Sequence, residues 1–412
     1  MELLRPVIRP YAWGSRRGIA ELQGRPFPAP GPEAELWMGA HPSAPSGANG
    51  TTLDAVIAAD PDRELGAPCV ARFGPRLPFL LKVLSADQAL SIQVHPSRAQ
   101  AELGFRAENE RGLPPGDPAR NYVDDWPKPE LLCALTPFEV LAGLRSPSDA
   151  AALLRALPVP ALHPLAAELQ PATGPQALSR VLAAILEWPE PSRADLVASV
   201  VTACATLASS DSPYAAACAA AVRVAGDHPG DLGVVAMLLM RHVVLAPGQA
   251  VFMPAGGLHA YLRGTGIEVL ANSDNVIRAG LTAKHVDVPE LLKLLDPAVT
   301  VPVLTPAPLG DGVAWFDTPA PEFRLYVADL AEPPVPLPPV TLPAAGLPAV
   351  TLPAAGPRIV LCTDGAATLR TDSGEAVKLA RGESCFVSAA DGPLHAAGPA
   401  RLFLASPGGP SA

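Results

Sequence analysis

Apolar and polar residues follow two different rhythms along this chain. From residue 1 to about 144, short apolar runs such as "ELWMGAHPSAPSG", "LPFLLKVL", "LSIQVHP" and "PFEVLAGLR" are interrupted by Gly, Pro and Asn. Runs of that length predict antiparallel strands and loops, with one short helix at "SRAQAELGFRAENERG". The rhythm then changes. "SPSDAAALLRAL" opens with Ser, Pro and Asp where a helix takes its cap and first turn, and its apolar residues recur at helical spacing. "PQALSRVLAAILEW", "SRADLVASVVTACATLA" and "YAAACAAAVRVAG" continue that period, so residues 145–240 read as mainly helical, with Pro and Gly as the breaks. Strands with tight glycine turns return in "HVVLAPGQAVFMPAGGLHAYLRGTGIEVLANSDNVIRAGL", followed by a helix at "VPELLKLL". The last hundred residues read as strands again, in "EFRLYVADL", "RIVLCTDGAATLRT", "EAVKLARGESCFVSA" and "ARLFLASP".

Two repeats stand out. VTLPAAG occurs at 340–346 and again at 350–356, within a proline-rich stretch that reads as a low-complexity surface loop. "LAPGQAVFMPAGGLH" (245–259) and "LARGESCFVSAADGPLH" (379–395) share Leu-Ala-x-Gly, a Phe at the fourth place after that Gly, and a terminal Leu-His. Two copies of one small β-unit would account for this, the second with a loop two residues longer.

Composition narrows the class. With 412 residues, 49% apolar and 17% charged, the chain is globular and long enough for two or three structural units; its 51 prolines favour loops and short strands. A net charge of −10 argues against a phosphate-backbone binder, although a few local cations suffice for one small anion. The six cysteines are scattered with no CxxC pair, a usage that suits a reducing cytoplasm. Neither an export signal nor a membrane-spanning run is visible.

The chemistry begins at "SIQVHP". Gln93 and His95 are two residues apart on a strand and so share a face. Such a pair is either a hydrogen-bonded core group or half of a metal site. Glu130 in "DDWPKPELL" and His259 in "PAGGLHAY" are further ligand candidates, and two imidazoles, a carboxylate and an amide oxygen suit zinc or another borderline divalent ion. Paired with Lys128, Glu130 also reads as an ordinary strand-start carboxylate. In "EVLANSDNVIRAGLTAKH", Glu268, Asp274, Arg278 and Lys284 are either surface ion pairs or a site in which cations hold a phosphate and carboxylates move protons. Gly256 and Gly257 read as a tight turn rather than a phosphate cradle, and His242, His285 and His395 show no convincing partners.

Together, "YAWGS" (11–15), "LPFLLKVLSADQALSIQVHP" (77–96), "KPE" (128–130), "PAGGLHAY" (254–261) and "SDNVIRAGLTAKH" (273–285) resemble the type I phosphomannose isomerases, zinc-dependent enzymes of the cupin superfamily. The resemblance covers residues 1 to about 300 in order. It implies a mainly β fold with a helical insertion: two cupin-like β-barrel (jelly-roll) units plus an α-helical domain. On that plan residues 1–144 and 241–309 form the catalytic cupin-like domain, 145–240 the helical insertion, and 310–412 a C-terminal cupin-like domain with a proline-rich loop at 331–357. The absence of QxH from 310–412 marks any second metal site as degenerate.

Motif by motif, the resemblance assigns Gln93, His95, Glu130 and His259 as ligands of one Zn2+ per chain, and Arg278 as the catalytic arginine. Lys128, Glu268 and Asp274 fall among the polar residues of the pocket, as does Lys284, while Lys82 and Ser91 stand where phosphate contacts are expected. The implied reaction interconverts mannose 6-phosphate and fructose 6-phosphate through an enediol. Its base is open between Glu268, Lys128 and water on the metal. A cytoplasmic monomer acting on a small sugar phosphate is expected, with no nucleic-acid or membrane partner, feeding mannose catabolism or nucleotide-sugar synthesis such as that of GDP-mannose. Two other readings are a metal-keeping cupin that binds sugar without turnover and a metal-dependent oxygenase; Arg278 argues against the first and the Gln93 ligand against the second. The chain departs from the family at Trp126 and Pro127, where many members carry Asn-His; a role for that histidine has no residue to carry it at that position here.

Overall fold

A computed structural model describes residues 1–114, 116–169, 174–330, 349–352 and 356–409. The first VTLPAAG copy and residues 353–355 of the second lie outside the described residues. The chain is β-rich and divides into two compact units. One comprises Met1–Ser85, Gly266–Asn272 and Leu304–Ala412; the other comprises Ala86–Thr265 and Ser273–Val303. The helices of 145–240 therefore share a unit with the strands that carry Gln93, Glu130 and Arg278, rather than standing apart. No helix among the described residues is long and apolar enough to cross a membrane, and all six cysteines are buried and unbridged.

In the second unit the helical stretch forms as its signals dictate. Helix Pro147–Ala156 starts at Ser146, whose hydroxyl accepts from the Asp149 N–H at 3.2 Å with Pro147 in the first turn. Helix Gln176–Leu186 buries Ala177, Leu178, Val181, Leu182 and Ile185, a stripe at helical spacing. That stripe packs into one core with Ile92, Val94, Leu258, Ala260, Ile277 and Ala279. These six are the alternate positions of strand Ile92–Val94, strand Ile277–Gly280 and the start of strand His259–Ala271. Their apolar faces are fixed on the helices, so Gln93, His259 and Arg278 turn to the opposite face.

The first unit contains an antiparallel sheet in which strand Arg358–Thr371 lies between Ser384–Val387 and Ala400–Ser406. It also holds a feature that periodicity does not predict: three short helices, Leu53–Ala59, Pro61–Leu65 and Ala67–Phe73, within a stretch read as strands and loops. None exceeds seven residues, too few for a helical period to separate itself from a strand's, and Pro61, Gly66 and Pro68 punctuate them.

The second sequence repeat is a repeat of structure. In each copy a strand reaches the Leu-Ala pair (ending at Leu245 and at Ala380), a glycine with positive φ makes the turn (Gly248 at 86°, Gly382 at 85°), and a four-residue strand follows. The residue after each glycine closes its turn in the same way: the Gln249 side chain accepts from the Ala246 N–H at 2.8 Å, and the Glu383 side chain from the Ala380 N–H at 2.9 Å. The fifth residue after each glycine is paired across the ladder, Met253 with Glu130 and Val387 with Arg358. The terminal histidines are paired too, His259 with Gln93 and His395 with Thr351. Where one copy sets Gln93, Glu130 and His259, the other sets Thr351, Arg358 and His395. His395 is not partnerless as the sequence suggested: it bonds Asp372 at 2.7 Å and Thr351 at 3.0 Å, a pairing between separate strands and turns that sequence distance conceals. His242 likewise stands 3.3 Å from Glu139.

The two turn glycines differ in their surroundings. A Cβ at Gly248 meets nothing within 4 Å, whereas one at Gly382 meets the Gln23 Cα at 2.7 Å. Gly248→Ala is expected to cost about 1–2 kcal/mol from its left-handed backbone alone, and Gly382→Ala clearly more. Thermal unfolding of the two variants should rank them in that order, and equal losses would contradict it.

Candidate metal centre

Strand Ile92–Val94 lies between two neighbours, and Gln93 is the position they share. Gln93 pairs with His259 on one side and with Arg278 on the other. Directly opposed residues project to the same face, so the amide, the imidazole and the guanidinium start from one patch of sheet. His95 follows two residues later, and Glu130 opens the strand Glu130–Ala134.

His95, Glu130 and His259 offer ligand atoms that lie within 4.8 Å of one another, and all three side chains are buried. His95 Nε2 is 3.4 Å from one Glu130 oxygen and His259 Nε2 is 3.4 Å from the other. Each imidazole is oriented from behind. His95 Nδ1 donates to the Asn275 carbonyl at 2.8 Å, and His259 Nδ1 to the Gly257 carbonyl at 3.0 Å. Those carbonyls select the tautomer in which the proton sits on Nδ1, so both Nε2 lone pairs point into the cluster. His95 Nε2 and Glu130 Oε2 are buried with no hydrogen-bond partner. Buried polar atoms without partners are costly, and a cation is the chemical group that suits two imidazole lone pairs and a carboxylate. The Gln93 amide lies 3.4 Å from His259 Nε2; turned about its last bond, it presents Oε1 as a fourth donor.

The electrostatics agree with that chemistry. Burial lowers the His95 pKa to about 4, against the pull of Glu130, so the ring is neutral near neutral pH as a ligand must be. Burial by itself would raise Glu130, but Lys128 at 3.2 Å pulls the other way and the carboxyl is held well below its ordinary range.

The other predicted residues divide between the two units. In the second, Arg278 is half-buried on its strand, and that burial lowers its pKa. Lys284 is lowered too, first by Arg278 and then by burial, with exposed Asp274 opposing. Two cations and one carboxylate thus interact at the Arg278 end of the site. Ser91, partly buried, precedes the Gln93 strand. In the first unit, Lys82 is buried between Glu35 at 3.4 Å and Glu268 at 3.2 Å, with its ammonium 5.0 Å from the Trp37 ring centre. Glu35 carries no motif that would single it out in the sequence. Gly256 and Gly257 are a turn, as expected, and a working one: the Gly256 N–H donates to the His95 carbonyl at 3.0 Å while Gly257 orients His259. Asn275 was passed over as well, although it stands in "SDNVIR" three residues before Arg278.

Comparison with known proteins bears on this arrangement directly. The phosphomannose isomerase type I catalytic domain pattern matches residues 1–147, a span that includes Gln93, His95 and Glu130. The chain is 38% identical over 411 residues to the mannose-6-phosphate isomerase of Salmonella typhimurium and 36% identical over 414 residues to that of Escherichia coli, with 98% of both chains covered in each case. Its structure resembles that of a mannose 6-phosphate isomerase bound with zinc and yttrium and that of the apo form from Salmonella typhimurium. For each the TM-score is 0.86 and the identity 34%, over 99% of both chains. Similarity of this extent, spanning the whole chain and joined to a buried two-histidine, one-carboxylate cluster, places the chain in the type I phosphomannose isomerase family.

Proposed function

We propose that this chain interconverts mannose 6-phosphate and fructose 6-phosphate, with one zinc ion held by Gln93, His95, Glu130 and His259. The observation that carries this reading is the inward-facing pair of imidazole nitrogens around a buried carboxylate, set in register with an arginine. When bound, zinc supplies Lewis acidity to the substrate's first two oxygens as negative charge develops there. The residues do the rest. Arg278, directly across the ladder from Gln93, presents a permanent cation to the enediolate. The mutual repulsion of Arg278 and Lys284 is relieved when an anionic oxygen arrives between them, which suits a sugar phosphate. Lys128, held 3.2 Å from Glu130, and Glu268 are the proposed proton carriers between the two sugar carbons, and Asp274 a pocket residue beside Lys284. Lys82 and Ser91 keep their proposed phosphate contacts on the strength of the motifs that contain them.

The architecture we infer is that of two cupin-like jelly rolls, one for each copy of the repeated turn, with the helical stretch inserted in the first. Residues 1–144 with 241–309, then 145–240, then 310–412 remain the proposed division by descent. The six buried, unbridged cysteines favour a reducing cytoplasm, and we place a monomeric enzyme there.

A coupled assay for fructose 6-phosphate formed from mannose 6-phosphate tests the reading. Activity is expected to vanish on chelation and return with zinc; full turnover by protein shown to be metal-free would overturn the metal's role, and a folded, zinc-loaded protein without turnover would leave a sugar-binding cupin instead. Arg278→Ala is expected to lower kcat about 10²- to 10³-fold, the loss typical of removing one donor to a developing oxyanion. Arg278→Lys should recover only part of it, since an ammonium lacks the guanidinium fork. Wild-type kcat in the alanine variant would remove Arg278 from the chemistry.

A further inference from the structure

We propose that the Asn275 side chain is the positioning residue of the metal centre, an inference that rests on the zinc reading above. The Asn275 side chain is wholly buried, and every hydrogen-bonding capacity of its amide is used. Oδ1 accepts from the Val123 N–H at 2.8 Å and the Asp124 N–H at 3.2 Å. Nδ2 donates to the Asp124 carbonyl at 2.8 Å and the Trp126 carbonyl at 2.9 Å. Asp124 returns the grip. Its carboxylate accepts from the Asp274 N–H at 2.8 Å, the Ser273 hydroxyl at 2.8 Å and the Trp126 N–H at 2.9 Å. Residues 123–126 and 273–275, some 150 positions apart, are thus closed into one polar clasp.

What the clasp holds is the site. The Asn275 main-chain carbonyl is the acceptor that fixes the His95 tautomer. Trp126 leads through Pro127 to Lys128, and Pro129 leads on to Glu130; two prolines with fixed φ transmit position along that stretch with little slack. Asn275 is itself three residues from Arg278. A single amide therefore sets the distance between the His95 ring, the Lys-Pro-Glu segment and the arginine strand, while touching none of the predicted ligands with its side chain.

Substitution at 275 leaves the main-chain carbonyl in place but removes what aims it. Outer contacts of this kind typically change metal affinity about 10- to 100-fold. The test is zinc affinity, read by competition with a chromophoric chelator on the purified full chain, with far-UV circular dichroism confirming the fold. Asn275→Ala is expected to bind zinc at least about tenfold more weakly than wild type. Leu369→Ala, in the core of the other unit, should lower the unfolding temperature yet keep wild-type zinc affinity, which separates positioning from general stability. Should Asn275→Ala fail to fold, Asn275→Asp serves: it keeps the acceptor oxygen and the shape but cannot donate to the Asp124 and Trp126 carbonyls. A folded variant at 275 that binds zinc as wild type does, or a Leu369→Ala protein that loses affinity equally, overturns the proposal. Wild-type protein that takes up no zinc overturns instead the metal reading on which it stands.

Discussion

The centre depends on three strands that are apolar on one face and chemical on the other. Ile92, Val94, Ile277, Ala279, Leu258 and Ala260 are sealed against the helices, and burying each large side chain is worth about 1.5–3 kcal/mol. Slipping one strand by a residue would drive Gln93 into that core and turn Ile92 and Val94 outward, so the apolar face enforces the register of the polar one. The helices of 145–240 supply no predicted catalytic group, yet they are the surface against which the catalytic face is aligned.

Within that frame the buried carboxylate is the dominant electrostatic fact. Glu130 carries its charge among two imidazoles and one lysine, an arrangement in which desolvation weighs against every ion and only close partners compensate. The main-chain carbonyls behind His95 and His259 prevent either ring from turning its Nδ1 inward. Geometry and protonation are therefore set before any ion or sugar arrives, which is how a binding site avoids spending substrate affinity on rearrangement.

Much of this could be read from the chain. Period-two alternation in "SIQVHP" exposes the shared face of Gln93 and His95, and the caps and stripes of residues 145–240 give the helices directly. The duplicated turn was visible as Leu-Ala-x-Gly followed by Phe, because the same backbone conformation demands the same glycine. Other parts left no local mark. Asn275 belongs to a residue type that ordinarily signals a turn, and its partners at 123–126 lie in a loop with no period. The grouping of the helices with the metal strands depends on which apolar stripes meet, and composition gives every stripe of leucine and alanine the same look. Lys82 showed itself as a cation, but its two carboxylate neighbours, Glu35 and Glu268, come from stretches far away in sequence.

The duplicated turn has a last consequence, through the arginine that stands opposite Val387 where its counterpart has Glu130 opposite Met253. Arg358 is buried, and its guanidinium donates to the carbonyls of Ser388 and Gly392 in the loop that leads to His395. That copy carries its positive charge on the polypeptide and owes nothing to the ion supply of the surroundings. On the proposed reading, one copy of the turn takes its positive charge from an ion and its twin from its own chain, so a chelator can reach the charge of only one of them.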